Sequence, residues 1–79
     1  MKQIRIDTAF FSDLVFIFDI LAKFVRSEKL EIRQDPEKCW YVYLLSKQAP
    51  GQIVDDLQKI CGKMENDFFF RTSLTAKII

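Results

Sequence analysis

Three sets of residues in this chain have the types that chemistry uses. The first is acidic. Asp55 and Asp56 are adjacent, and a pair of carboxylates can divide general acid and base work across one bond. Neighbours on a helix point about 100° apart, however, so these two cannot address a single bond and read as a solvated face. The second set is nucleophilic: Ser12, Cys39 and Cys61. The chain has no histidine, which removes the commonest general base for a serine and the commonest metal ligand. Ser12 therefore reads as a helix cap. Two cysteines without CxxC spacing do not make a zinc site. The third set is aromatic and basic. Tyr41 and Tyr43 stand two apart, and Arg5, Arg33 and Arg71 are placed to flank them. Aromatic faces beside guanidinium groups are what base stacking of single-stranded RNA or DNA requires. The two glycines, Gly51 and Gly62, are isolated, so no phosphate-cradling loop exists. No catalytic residue, cofactor site or metal ligand emerges, and the expectation is a protein without catalysis of its own and without a cofactor.

The element around which these residues must be arranged is Phe10 to Arg26, the longest apolar run. On a helical wheel, Phe10, Leu14, Ile17, Phe18, Leu21, Phe24 and Val25 fall on one side, and Ser12, Asp19, Lys23 and Arg26 on the other. Phe11 and Val15 lie on one flank; Phe16 and Ile20 lie on the other. The apolar arc spans roughly 200°, twice what a surface helix needs to face one core. The run is too short and too charged for a membrane span. It is also interrupted by acids where a signal peptide would be apolar.

The remaining elements follow in order. Lys2 to Asp7 alternates polar and apolar residues, as a half-buried strand does, and Thr8 or Ser12 is placed to cap the helix. Leu30 to Gln34 is a second strand, and Asp35-Pro36-Glu37 a turn. Lys38 to Leu45, dense in aromatic and β-branched residues, is a third. A second amphipathic helix starts at Pro50, with Ile53, Val54, Leu57, Ile60, Cys61 and Met64 on one face and Asn66-Asp67 as its stop. Phe68 to Ile79 is a long final strand. The order strand, helix, strand, strand, helix, strand is that of the α+β ferredoxin-like βαββαβ sandwich. Its four-stranded antiparallel sheet carries two helices on one face, in strand order 4-1-3-2.

Composition narrows the function classes. Seventy-nine residues make one domain, 1–79, and 49% hydrophobic residues suffice for a core. Twelve basic and eleven acidic residues leave a net charge of +1. That excludes a strong electrostatic case for nucleic acid or an anionic membrane. Both cysteines sit among apolar residues and read as free core thiols in a reducing cytoplasm.

Two surfaces remain as candidates. Alternation in the third strand leaves two sets, Trp40, Val42 and Leu44 or Cys39, Tyr41 and Tyr43, either of which could face the core. With the first set inward, since tyrosine tolerates a wet edge, the open sheet face carries Arg5, Arg33, Tyr41, Tyr43, Phe69 and Arg71. The surplus flank of the first helix carries Phe16 and Ile20, with Val15 a weaker candidate. The last strand, about twice the length of its expected neighbour, leaves Ser73 to Ile79 unpaired and open to another chain through Leu74 and Ile78. The expectation is a small cytoplasmic protein-interaction module, homodimeric or an adaptor subunit, with no membrane segment. Its partner-binding residues would be Phe16, Ile20, Tyr41, Tyr43, Phe69, Arg71, Leu74 and Ile78. The alternative is a single-stranded RNA- or DNA-binding domain using Arg5, Arg33, Tyr41, Tyr43 and Arg71.

Overall fold

Alternation and helical periodicity decide where the elements lie. The computed structural model describes residues 1–63 and 74–79, apart from the side chains of 61–63. It runs β1 (Lys2–Thr8), α1 (Phe11–Phe24), β2 (Lys29–Gln34), β3 (Trp40–Ser46), α2 (Pro50–Lys63) and β4 (Leu74–Ile78). The strands form one antiparallel sheet in the order β2-β3-β1-β4. This is the ferredoxin-like α+β fold.

Period-two alternation places Ile4, Ile6, Val42 and Leu44 on one face of the two central strands, all fully buried. α1 adds Leu14, Ile17, Ile20 and Leu21, and α2 adds Ile53 and Leu57. α1 packs over β1, β2 and β3, while α2 lies against β4 and touches α1. The hairpin between β2 and β3 closes with a turn in which the Lys38 amide donates to the Asp35 carbonyl, and Pro36 sits where its fixed φ suits. Lys38 takes the left-handed conformation, φ 66°, that lets a three-residue hairpin loop rejoin its strand.

Three expectations need correction. Neither Thr8 nor Ser12 caps α1. Phe10 holds the cap position without a side-chain bond, and the Thr8 hydroxyl instead donates to the Phe10 carbonyl. The flank of α1 expected to face outward is turned in. Ile20 is 2% exposed, and Phe16 packs against the core. The reason is α2: the flank nearer the second helix is covered, and the opposite flank, Phe11 and Val15, stays open. The segment expected to lie unpaired is also paired. Leu74 to Ile78 lies antiparallel to Thr8 to Ile4, residue for residue. Residues 68–73, including Phe69 and Arg71, fall outside the described part, so the length mismatch that pointed to a free β4 segment has no counterpart among the described residues. Leu74 is half-buried and Ile78 exposed.

Candidate interaction surface

The open sheet face is built by cross-strand register. Arg5 lies opposite Tyr43, Glu31 opposite Tyr43 on the other side, and Arg33 opposite Tyr41. The third strand thus has the parity expected for it, with Val42 and Leu44 inward and the tyrosines on the open face. Each arginine reaches diagonally rather than straight across, a distance long side chains cover easily. The Arg5 guanidinium lies 4.2 Å above the Tyr41 ring, and that of Arg33 lies 3.6 Å above the Tyr43 ring. These are cation–π distances. The Tyr43 hydroxyl donates to Gln3 Oε1, and the ring is only 5% exposed although it belongs to the open face.

The arginines are themselves held. Arg5 donates through Nε and Nη2 to Asp7, and Nη2 also reaches Asp35 Oδ2 at 2.9 Å. Its pKa is raised by the hydrogen bond to Asp7 first and by that to Asp35 second. Asp35 sits below the usual carboxylate range because the Cys39 amide donates to it, with Arg5 adding to the effect. Arg33 Nε donates to Glu31 Oε2 at 2.6 Å, which lowers the Glu31 pKa and raises that of Arg33. The tyrosine faces are therefore occupied by the chain's own guanidinium groups, and the guanidinium charges are compensated by carboxylates. Asp35 was invisible as a member of this network because a turn residue reaches Arg5 only once β2 and β1 flank β3.

A second surface lies at the start of α1. Phe11 and Trp40 meet edge to face, with centroids 5.9 Å apart at 68°. They are 53% and 48% exposed. Trp40 has the parity of the core face, yet it sits at the end of the sheet, where Phe11 at the start of α1 covers it only in part. With Phe10, Arg5, Asp7 and Cys39 the pair lines a cleft of about 290 Å³. Cys39, expected in the core, is exposed and free. In the folded protein its thiol reacts with a disulfide reagent on mixing, and Cys39→Ser removes that rapid phase. A Cys39 thiol that titrates only after denaturation would contradict this placement.

Along the outer flank of α1, Phe11, Val15, Phe18, Ala22 and Val25 recur at spacings of four, three, four and three. Phe11, Val15 and Ala22 are exposed; Phe18 and Val25 are half-buried. Such spacing is the narrow apolar seam of a helix that packs against another helix. Phe18 and Val25 pack in part against the core, and Phe11 meets Trp40. Among the described residues α2 is on the other side of α1, and beyond this flank comes the free edge of β2. Periodicity could have revealed this seam in the sequence, but the wider apolar arc concealed it.

No protein-family model, curated protein or solved structure matches the chain.

The site must therefore be read from its own geometry. Among the described residues no group of histidine, cysteine or acidic side chains could hold a metal ion, and no helix is long and apolar enough to cross a membrane. The larger hollow, about 370 Å³ between Arg26, Glu28, Ser46 and Gln48, is at the far end of the sheet from the aromatic pair.

Proposed function

We propose that this protein is a non-catalytic protein-interaction module of the cytoplasm, working as a homodimer or as an adaptor subunit, and that the outer flank of α1 is its contact surface. One observation carries the reading: Phe11, Val15 and Trp40 stand about half exposed beside one another, and Phe11 meets Trp40 edge to face. Apolar clusters of this kind on small soluble domains mark interfaces, and aromatic residues are the usual anchors. The nucleic-acid alternative has less support, because a base would have to displace Arg5 or Arg33 from the ring it covers. Phe69, Arg71, Leu74 and Ile78 are not needed for this surface.

Trp40 is the single tryptophan and reports on the surface directly. Its emission shifts to shorter wavelength as concentration rises from about 1 to 200 μM, in step with the mass from light scattering, because association removes water from the indole. Phe11→Ser reduces the association without lowering the melting temperature measured at about 1 μM, where association adds nothing to stability. A monomeric mass and constant emission over the whole range, with Phe11→Ser unfolding more easily, would assign the aromatic pair to the fold and overturn the reading.

A further inference from the structure

The free edge beside that flank has a charge pattern that fits itself. The Asp35 amide donates to the Cys39 carbonyl, one step beyond the Gln34–Trp40 pair. In an antiparallel ladder hydrogen-bonded pairs alternate with non-bonded ones. Arg33, Glu31 and Lys29 therefore bond to β3, while the backbone groups of Leu30, Ile32 and Gln34 point out of the sheet. β2 is an edge strand, so these three N–H and C=O pairs have no partner strand among the described residues.

We infer that two copies of this chain pair through β2, antiparallel, about a two-fold axis at Ile32. This rests on the interaction reading above and names its partner, a second copy. In that register Ile32 faces the partner's Ile32, and Leu30 faces the partner's Gln34. All three outward residues then bond, giving one reciprocal pair at the axis and one on each side. On the open face Glu31 comes opposite the partner's Arg33, Arg33 opposite the partner's Glu31, and Lys29 opposite the partner's Asp35. Each opposition joins unlike charges. Moving the axis one residue, to Glu31 or Arg33, sets like charges against each other at the axis and costs stability. Arg33 uses Nε on its own Glu31, and a guanidinium has two further nitrogens for a second carboxylate. Isolated monomers guard an edge with charges; here the charges are arranged so that the one strand they admit is their own.

The helix side agrees independently. An axis perpendicular to the sheet keeps both α1 helices on the same face, runs them antiparallel, and turns their outer flanks toward each other. Reversed, the seam's spacings of four, three, four and three become three, four, three and four, so about Phe18 its ends coincide and its intermediate positions fall one residue out of step. Phe11 lies toward the partner's Val25, and Val15 toward the partner's Ala22. Half-buried Ile32 and Leu30 lie beneath. The β4 edge lacks both features. Its outward residues are Leu74, Ala76 and Ile78, since the Ile79 amide bonds back to Gln3, and its one charge, Lys77, would face only a threonine.

Charge exchange tests the register on the full chain by sedimentation. Glu31→Arg sets a guanidinium against the partner's Arg33, and Arg33→Glu sets a carboxylate against the partner's Glu31. Each variant raises the dimer dissociation constant at least about tenfold. Mixed in equal amounts they recover the association, because each supplies the charge the other lacks. Both positions are half-buried on the open face, so circular dichroism checks that both variants fold. Ile32→Pro removes an outward amide without touching the β3 ladder and abolishes the dimer; Ala76→Pro, its counterpart on β4, does not. A wild-type chain that stays monomeric at 200 μM overturns this inference together with the homodimer reading. A dimer indifferent to both charge variants, or lost with Ala76→Pro, overturns the β2 register alone and leaves the interaction reading standing.

Discussion

Ile20→Ala lowers the unfolding free energy by about 2–4 kcal/mol, while Val15→Ala changes it by less than about 0.5 kcal/mol. The two residues are similar in kind and little more than one helical turn apart. They differ in what surrounds them. Ile20 is 2% exposed in the core formed with Leu21, Ile53 and Leu57, whereas Val15 is 45% exposed. Truncating the first removes buried methyl groups and leaves a void that close-packed neighbours fill only in part; truncating the second leaves water where water already was. For a chain of this length the whole folding free energy is about 4–12 kcal/mol, so the Ile20 variant loses a large share of it. Denaturant titration at about 1 μM keeps association from adding to the value. Equal losses at both positions would mean that α1 is rotated from the orientation described here.

Arg5→Met lowers the melting temperature at pH 7 by about 5–15 °C, against about 2–4 °C or less for Lys23→Ala. Both residues form ion pairs. That of Lys23 with Asp19 is an exposed pair within one helix, 63% and 61% accessible. Arg5 instead sits between Asp7 and Asp35 and over Tyr41, and removing it leaves two mostly covered carboxylates close together without their cation.

The penalty depends on pH in a definite direction. Asp35 has a folded pKa below its ordinary 3.8, owing to the Cys39 amide and then Arg5. A depressed carboxylate contributes stability that is complete above its unfolded pKa and is lost as the pH falls through its folded one. Glu31, lowered from 4.5 by Arg33, acts in the same sense, though its exposure screens the effect. Wild-type stability therefore declines as the pH drops below about 4, and the Arg5→Met variant declines less, because protonation relieves the repulsion it suffers. Thermal melts at pH 7 and pH 3 should show the difference between the two proteins narrowing. A difference that widens on acidification would mean that Arg5 is not compensated by these carboxylates.

Acid also bears on association. The β2 pairing inferred above would set Glu31 against the partner's Arg33, so protonation is expected to weaken such a dimer in the same range that weakens the fold. Concentration-dependent melts separate the two effects, since only the first depends on the amount of chain present.

The sequence by itself determined what depends on near neighbours along the chain. Alternation in KQIRID sets Ile4 and Ile6 on one face, and in the third strand it separates Val42 and Leu44 from the tyrosines, but only the packed sheet decides that Val42 and Leu44 are the buried pair. Apolar spacing defines both helices, and Pro36 marks the hairpin turn. Together these are enough for the βαββαβ order and the strand sequence of the sheet. Tertiary structure decided what depends on elements distant in sequence. Once α1 is apolar over two flanks, its own pattern cannot say which flank faces α2. The neighbour settles that, covering Ile20 and leaving Phe11 and Val15 open. Nor can alternation show that each arginine lies over the diagonal tyrosine, since that follows from register between separate strands. The charges Lys29, Glu31, Arg33 and Asp35 were legible as residues from the start. Their mutual fit acquired meaning only when β2 proved to be an edge whose free backbone groups centre on Ile32, because self-complementarity is a property of an axis and no single strand contains one.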